Sequence, residues 1–435
     1  MTAAPAAAPL VTRTVPLAAP GPLLELLPRD ESLAWVRRGE GLVGWGEAVR
    51  IGTVGPDRFG KAQRAWQQLI ARAVVRDEVG LPGTGPVAFG SFAFSPRSAA
   101  GGVLIVPEVV VGCRGGRYWL TTVGAGAVVP STEPAAVLPA PEPPTDHGEV
   151  SFSDGALSPL TWQGVVADAI RRITAGELEK VVLARDVHAR AQRPIDARTL
   201  LRRLAERYPG TWTFSVDGLI GATPEMLVRR EKGLVTSRVL AGTIRRTGDD
   251  AHDLALAASL ARSSKDLEEH EYAVRSVADA LAPHCTSMNL PESPFVLHLA
   301  NVMHLATDVT GVLADQTPSL ELAAALHPSA AVCGTPTTRA ARLIDEIEDM
   351  DRGRYAGPVG WMDADGDGEW GIALRCAETD ADDPRNLRLF AGCGIVAGSV
   401  PTDELAEANA KLLPMRDALT ATPAVIMHAV TGRRA

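Results

Sequence analysis

The chain has 435 residues, of which 46% are hydrophobic and 22% charged; this composition is typical of a folded protein with a large core and excludes wholesale disorder. The net charge of -9 argues against a general nucleic-acid binder. The five cysteines include no C-x-x-C pair, and neither a signal peptide nor a transmembrane stretch is evident. We therefore expect a soluble cytoplasmic protein with reduced thiols.

Lysine is rare in this sequence, with five residues against 38 arginines. Arginine supplies a fixed positive charge, whereas lysine has a compact head group and a tunable pKa. A chain that has replaced most lysines should keep those that arginine cannot replace. The positions to follow are therefore Lys61, Lys180, Lys232, Lys265 and Lys411.

The N-terminal third is predicted to be rich in short strands. Residues 1–30, rich in Ala and Pro, are expected to be poorly ordered, and 31–150 to form a β-rich part with one helix at Arg58–Val75. The expected strands are Leu42–Val49, Val87–Phe94, Gly102–Cys113 and Tyr118–Val123. Six prolines between 130 and 144 predict a linker, because proline ends helices and cannot donate to a sheet.

The main body is expected over 151–420, followed by a C-terminal tail over 421–435. Its predicted helices are Ser158–Ala175, Ala197–Arg207, His252–Ala261, Lys265–Leu281, Ser319–Leu326, Thr338–Met350 and Asp403–Leu419. Its predicted strands are Glu179–Val187, Thr211–Ile220, Glu225–Arg230, Leu234–Leu240, His298–Val309, Gly357–Asp363, Glu369–Cys376 and Leu387–Ile395. The strands come in hairpin-like runs, which favours an α+β fold with large antiparallel sheets.

Two residues in the main body can each be explained in two ways, one structural and one chemical. Lys180 shares its strand face with Val182 and Ala184, so it either protects a sheet edge or is a desolvated amine whose pKa falls toward neutrality. Glu225 begins a predicted strand, at the junction with the preceding turn, among apolar neighbours. It is either a simple strand-start carboxylate or a partly buried general acid.

Two predicted helices carry acidic clusters, one at Glu269 and one at Glu404 and Glu407. Lys265 lies four residues before Glu269, and Lys411 four residues after Glu407, as in ordinary salt-bridged helix faces. The two faces could instead meet over Mg²⁺, which prefers a few carboxylates together with water and substrate oxygens.

Nine segments of the main body together resemble the chorismate-utilising enzymes, and within them most closely the isochorismate synthases. The resemblance covers about residues 155–418. The matching segments are LEKVVLAR at Leu178–Arg185, GATPEML at Gly221–Leu227, LAGT at Leu240–Thr243, SKDLEEH at Ser264–His270, LHPSAAVCGTP at Leu326–Pro336, RYAGPVG at Arg354–Gly360, GIALR at Gly371–Arg375, AGCGIVAG at Ala391–Gly398, and Glu404–Lys411. The resemblance implies large antiparallel sheets that form a sandwich core with helices packed outside.

The resemblance also implies a reaction and its residues. It implies Mg²⁺-dependent conversion of chorismate to isochorismate, with Lys180 as the base that activates water for attack at C2 and Glu225 as the acid that protonates the departing C4 hydroxyl. Glu269 and Glu407 are the implied Mg²⁺ ligands, with Glu404 and Asp266 in support through water. The implied substrate-binding residues are Gly242, Thr243, His304, Ala331, Tyr355, Arg375, Gly392, Gly394 and Lys411.

Two residues separate this chain from its relatives. Ammonia-using anthranilate and aminodeoxychorismate synthases commonly have Gln in place of Lys180, so Lys180 favours water as the nucleophile. Salicylate synthases tend to carry Thr at the position of Ala331, where it favours pyruvate elimination. The resemblance therefore implies a chain that stops at isochorismate and feeds menaquinone or siderophore biosynthesis. We expect it to act as a monomer without a nucleic-acid or membrane partner.

Overall fold

Many short segments of the chain are buried over their whole length, as in VAFGSF at Val87–Phe92 and GVLIV at Gly102–Val106, and short apolar runs of this kind form strands inside a covered sheet. A computed structural model describes residues 9–126, 130–140, 142–298 and 302–420, without the side chains of Ala241, Thr243, Arg245, Lys265, Asp266 and Glu269. The strands are β1 Leu10–Leu17, β2 Leu33–Arg37, β3 Glu40–Trp45, β4 Val49–Thr53, β5 Val74–Asp77, β6 Val87–Phe92, β7 Gly102–Val106, β8 Val109–Arg114, β9 Arg117–Ala125, β10 Val150–Asp154, β11 Lys180–Ala191, β12 Trp212–Val216, β13 Leu219–Thr223, β14 Met226–Glu231, β15 Leu234–Arg245, β16 Cys285–Asn289, β17 Phe295–His298, β18 Val302–Leu313, β19 Gly334–Thr335, β20 Pro358–Asp363, β21 Gly368–Ile372, β22 Cys376–Thr379 and β23 Asn386–Ile395.

The helices are α1 Arg58–Ile70, α2 Pro134–Val137, α3 Pro159–Thr174, α4 Ala197–Arg207, α5 Asp250–Leu260, α6 Ser264–Leu281, α7 Ser319–Leu326, α8 Thr337–Ile347 and α9 Pro401–Thr420. The start of α3 illustrates the local signals. Ser158 accepts a hydrogen bond from the Thr161 N–H, and Pro159 occupies the first helical position, where no N–H is needed. In the described part of the chain, no helix is both long enough and apolar enough to cross a membrane.

The strands assemble into two large sheets. The first has the order β10-β11-β23-β22-β13-β12-β2-β3-β8-β9-β1-β5, with β19 also paired to β11. The second has the order β16-β18-β15-β14-β21-β20-β6-β7-β4, with β17 paired to β18. Apart from the parallel pair β1 and β5, the described neighbours are antiparallel. This arrangement confirms the predicted α+β class with large antiparallel sheets.

The two sheets share one apolar core. Trp35 of β2 and Trp370 of β21 are almost fully buried in it, and the Trp35 Nε1–H donates to Glu369 Oε2 at 2.8 Å, which joins the first sheet to the second. Truncating a buried tryptophan of this kind costs about 3–5 kcal/mol. The sandwich core is therefore held by large aromatic side chains from both layers.

Helices cover the outer faces of both sheets. Leu200 of α4 and Met415 of α9 pack with Leu389 of β23 in a second apolar cluster. Leu260 of α5 packs with Leu305 of β18 in a third. Helix α9 continues through Pro414 to Thr420 without ending at the proline. Its packing against β23 sets the position of its acidic first turns.

The structure corrects several sequence predictions in the N-terminal third. The segment 1–30 was expected to be poorly ordered, but Leu10–Leu17 forms β1 between β9 and β5, because its residues alternate between buried and half-exposed. Residues 1–8 and the tail 421–435 lie outside the described part. The strand predicted over Gly102–Cys113 is two strands, since Pro107 stands between them.

Two further corrections concern segment boundaries. Helix α1 ends at Ile70 instead of Val75, because the β-branched Val74 and Val75 enter strand β5. The proline-rich segment 130–144 contains the short helix α2 at Pro134–Val137.

Strands from both sides of residue 150 share the sheets, since β2 pairs with β12 and β6 with β20. The division at residue 150 stays a prediction.

Candidate active site

A cavity of about 230 Å³ brings together the predicted site residues. It takes residues from β11 and β23 of the first sheet, from β15 and β18 of the second, and from α9. The predicted residues that line it are Lys180, Glu225, Gly242, His304, Ala331, Tyr355, Arg375, Gly392, Gly394, Glu404, Glu407 and Lys411. The side chains of Thr243 and Glu269 lie outside the described part, so their predicted contacts stay predictions.

Lys180 begins β11 in a part of the sheet that is paired on both sides. Lys180 is opposite Thr335 of β19, and the next residue, Val181, is paired with both Gly334 and Ile395. An edge-protecting lysine belongs on a strand with an unpaired side. The pairing therefore disfavours that explanation and leaves an amine that faces a cavity.

Glu225 is the buried acid of the cavity. Its exposed fraction is 7%, and its backbone N–H donates to Thr223 Oγ1 at 3.2 Å just before β14 begins. Burial raises the pKa of its carboxyl from 4.5 to about 7, against the opposing positive charges of Lys180, Arg375 and Lys411. A carboxyl with this pKa can hold a proton near neutral pH and give it up during a reaction.

The cationic side of the cavity contains Arg375 and Lys411. Arg375 has a φ of 48°, in the left-handed region that side chains rarely adopt, which indicates a backbone held in place by its surroundings. Burial lowers the pKa of its guanidinium. Lys411 Nζ donates to the Gly392 carbonyl oxygen at 2.9 Å and lies 2.7 Å from Glu407 Oε1. The two cations are suited to an anionic ligand.

Tyr355 and Gly392 form a closely packed wall beside these cations. The Tyr355 ring stacks on Phe390 with centroids 5.1 Å apart, and burial raises the pKa of its hydroxyl. A Cβ at Gly392 would lie 2.6 Å from the Leu183 carbonyl oxygen and 3.2 Å from Tyr355 Oη. Only glycine fits there without a shift of the sheet. Cys393 next to it donates weakly to the Glu404 carbonyl oxygen at 3.6 Å.

His304 supplies a neutral imidazole to the same cavity. Burial lowers the pKa of its imidazole to about 3, and the positive charges of Arg375 and Lys411 act in the same direction. A hydrogen bond with the Gly242 backbone raises the pKa and opposes these effects. Gly242 has a φ of 71° and lies at a bulge in β15 between Ala241 and Thr243. The bulge brings the backbone of β15 to the imidazole of β18.

The acidic side of the cavity is formed by Glu404 and Glu407, which are one helical turn apart on α9. Burial raises the pKa of the Glu404 carboxyl, and the neighbouring Glu407 charge acts in the same direction. A divalent cation would relieve this repulsion, so the two carboxylates fit Mg²⁺ as donors. Among the described side chains, no group of three or more His, Cys, Asp and Glu is placed to hold a metal ion.

Arg352 also lines the cavity, and the sequence analysis missed it. Its guanidinium is paired with the buried Glu348 and donates to the carbonyl oxygens of Val332 at 3.0 Å and Val182 at 2.7 Å. Glu348 Oε1 in turn accepts the Ala184 N–H at 2.7 Å. The signal available in the sequence was an arginine three residues before Tyr355, at the edge of a matched segment.

The fold and this cavity define a class of protein. The chain matches the family model described as chorismate binding enzyme over residues 28–420. It therefore belongs to the chorismate binding enzyme family, as the sequence resemblance implied.

Three proteins similar to this chain are isochorismate synthases by name. The chain is 43% identical to isochorismate synthase DhbC of Bacillus subtilis over 60% of its own length and 68% of that protein. It is 33% identical to the salicylate biosynthesis isochorismate synthase of Pseudomonas aeruginosa over 89% of its own length and 85% of that protein. The structure of MenF from Escherichia coli, a menaquinone-specific isochorismate synthase, has the same fold, with a TM-score of 0.79, 24% identity and 96% of each chain covered.

Proposed function

We propose that this chain is an isochorismate synthase, an isomerase that converts chorismate to isochorismate. The observation that carries the proposal is the presence of the Lys180 amine and the buried Glu225 carboxyl in one cavity, because exchange of a hydroxyl between two ring positions needs a base and an acid. The names of the relatives support the same activity.

The proposed mechanism assigns one proton transfer to each of these two residues. The Lys180 amine accepts a proton from water as its oxygen forms a bond to C2 of the ring. Glu225 donates its proton to the C4 hydroxyl as that C–O bond breaks and water leaves. One water enters and one leaves, so the product is an isomer, and return of a proton from Lys180 to Glu225 through solvent resets the site.

The remaining residues hold the substrate, which carries two carboxylates. Arg375 and Lys411 provide the positive charge, with the Tyr355 hydroxyl and the backbone N–H groups at Gly392 and Gly394 as further donors. His304, as a neutral imidazole, can donate one hydrogen bond without adding charge. Gly242 and Thr243 at the β15 bulge are proposed to contact the ring.

We further propose that Glu407 and Glu269 hold Mg²⁺, with Glu404 in support through water. When bound, the ion neutralises the charge of a substrate carboxylate. Titration calorimetry of the protein with MgCl₂ tests this without any assay of turnover. Glu407→Gln should lose Mg²⁺ binding, whereas Glu321→Gln, on the exposed face of α7, should keep it. Equal binding by both variants would contradict the assignment.

The decisive experiment for the activity is incubation with chorismate and Mg²⁺, followed by chromatographic separation of the products. Isochorismate as the main product supports the proposal. Salicylate and pyruvate as main products would indicate a salicylate synthase instead, and anthranilate or aminodeoxychorismate in the presence of ammonia would indicate an amine-using synthase. Light scattering after gel filtration tests the expected monomer, and gene neighbourhood distinguishes menaquinone from siderophore biosynthesis.

A further inference from the structure

A second cavity, of about 720 Å³, lies outside the candidate active site between β10, β11 and α9. Its charged lining includes Arg185 and Arg416, and its apolar lining includes Phe152, Val187 and Leu413. Arg185 belongs to the strand that begins with Lys180, and α9 carries both Arg416 and the carboxylates of the first cavity. The two cavities therefore share a strand and a helix without sharing a lining residue.

Arg185 is a buried guanidinium with weak partners. Only 3% of its side chain is exposed. One nitrogen, Nη1, donates to the neutral Asn409 Oδ1 at 3.0 Å, and Nη2 lies 3.8 Å from Asp154 Oδ1, whose side chain is 55% exposed. Its Nε has no hydrogen-bond partner among the described residues. A buried charge with so little compensation is costly.

Most other buried arginines in the described part of the chain have a close carboxylate. Arg198 lies 2.7 Å from Asp196, and Arg354 lies 2.6 Å from Glu378. Arg58 donates instead to two backbone carbonyl oxygens. Arg185 differs from Arg198 and Arg354 because its nearest carboxylate lies 3.8 Å away, on the exposed side chain of Asp154. An anion in the cavity would supply the guanidinium of Arg185 with a negative charge and a further hydrogen-bond acceptor.

Arg416 adds a second positive charge on the same cavity. Its guanidinium lies 4.6 Å from the centre of the Phe152 ring, and its Nε also has no hydrogen-bond partner among the described residues. Burial lowers the pKa of Arg185 against the opposing charge of Asp154, and the charge of Arg416 acts in the same direction as burial. With Asp154, the net charge at the cavity is about +1, which suits a monoanion.

We propose that this cavity is a binding site for a small aromatic monocarboxylate, with its carboxylate on Arg185 and Arg416 and its ring against Phe152 and Leu413. The two guanidinium groups match a carboxylate, and the apolar lining favours a ring over a bare inorganic anion. This site is additional to the proposed function and takes a ligand different from the dianionic substrate.

Benzoate is the probe, and its binding to the full chain is measured by titration calorimetry. Arg375→Ala removes a cation of the candidate active site and should leave this binding unchanged. Arg416→Gln should weaken binding about tenfold or more, the effect of one charge-assisted hydrogen bond, whereas Arg64→Gln on the exposed face of α1 should not. Benzamide and inorganic phosphate should bind at least about tenfold more weakly than benzoate.

Arg185→Met provides a second test with a readout of stability. Because the guanidinium is buried without a close carboxylate, the variant should fold with an unchanged or higher melting temperature and yet lose benzoate binding. Any one of four results would overturn the proposal. Two concern variants in the binding assay: loss of benzoate binding in Arg375→Ala, or equal benzoate binding by wild type and Arg416→Gln. The others are equal binding of phosphate and benzoate, and a large drop in the melting temperature of Arg185→Met. Calorimetry does not depend on turnover, so these outcomes are separate from the isochorismate synthase assay.

Discussion

Arg352 Nε donates to Glu348 Oε2 at 2.8 Å, and the two side chains are 2% and 1% exposed. Through its other nitrogens Arg352 is bonded to the backbone at Val182 and Val332, and Glu348 is bonded to the Ala184 N–H. The ion pair therefore ties the strand of Lys180 to the segment that carries Ala331. Val182 and Val332 both line the cavity, so the pair holds two of its walls together.

We predict that Glu348→Ala lowers the free energy of unfolding by about 3–5 kcal/mol, because it leaves a buried guanidinium without its carboxylate. Glu271→Ala is the matched control, since Glu271 forms an exposed pair with Arg275 one turn along α6, and should cost less than about 1 kcal/mol. Urea unfolding measures both. Equal losses in the two variants would show that the buried pair does not stabilise the fold.

Lys180→Ala should fold normally and lose nearly all turnover. The side chain is only partly buried, so truncation removes little packing, whereas loss of a general base costs about 10²–10⁴-fold in kcat. Lys180→Arg should also fail, because arginine cannot give up its proton near neutral pH. The control is Lys61→Ala, where an exposed amine donates to the Val54 carbonyl oxygen. Near-normal kcat in Lys180→Ala would remove the residue from the base role.

The raised pKa of Glu225 predicts how activity depends on pH. As an acid it must be protonated, so kcat/KM should fall as the pH rises through about 7. Stability follows the same direction. The Glu225 carboxyl holds its proton more tightly in the folded state than in the unfolded chain, where its pKa is near 4.5. Its protonation therefore adds to the free energy of unfolding in full below pH 4.5, and this stabilisation is lost as the pH rises through about 7.

Asp363 provides a control for that pH dependence. Burial raises its pKa to about 7 as well, but its carboxylate accepts hydrogen bonds from the Gly83 and Asp365 N–H groups, away from the cavity. Glu225→Gln should abolish turnover and flatten part of the change in stability with pH. Asp363→Asn should alter stability only and leave the pH profile of kcat/KM unchanged. A profile that moves with Asp363→Asn would contradict the assignment to Glu225.

Gly392→Ala should destabilise the protein by about 1–3 kcal/mol and raise KM. The added methyl group meets the Leu183 carbonyl oxygen, so β23 must move away from β11 and carry the Gly392 carbonyl away from Lys411. Gly398→Ala is the control in the same segment, since a Cβ there has no neighbour within 4 Å. Thermal unfolding and steady-state kinetics measure the difference. Identical behaviour of the two variants would contradict the close approach.

Most of the cavity could be predicted from the sequence because its residues lie within short matched segments. Lys180 and Glu225 were identified without knowledge of which strands pair. Arg352 was missed because its role depends on Glu348 and on backbone groups of two distant segments, and a single sequence gives no sign of such contacts. The rarity of lysine indicated the site at only some of the five positions. Lys180 and Lys411 line the cavity, whereas Lys61 is exposed and donates a hydrogen bond to a nearby carbonyl oxygen.

The fold was predicted best where periodicity was strong. Helices α4 and α7 have the predicted bounds, since their apolar residues recur at helical spacing. Strand β1 was missed because its Ala- and Pro-rich flank obscured the alternation in LVTRTVPL. The first two residues of the short edge strand β5 were assigned to the end of a helix, since its four exposed residues show no alternation of apolar and polar side chains.

Ala331→Thr should shift the products toward salicylate and pyruvate. Ala331 lines the cavity with Lys180 and Glu225, so a threonine hydroxyl there enters the space that the substrate occupies under the proposed function. Ala331→Val is the matched control, because valine has nearly the shape of threonine and lacks the hydroxyl. Chromatography of the products from chorismate measures the ratio of isochorismate to salicylate. A shift with Thr alone assigns the change to the hydroxyl, and the same shift with Val would assign it to bulk and contradict this account.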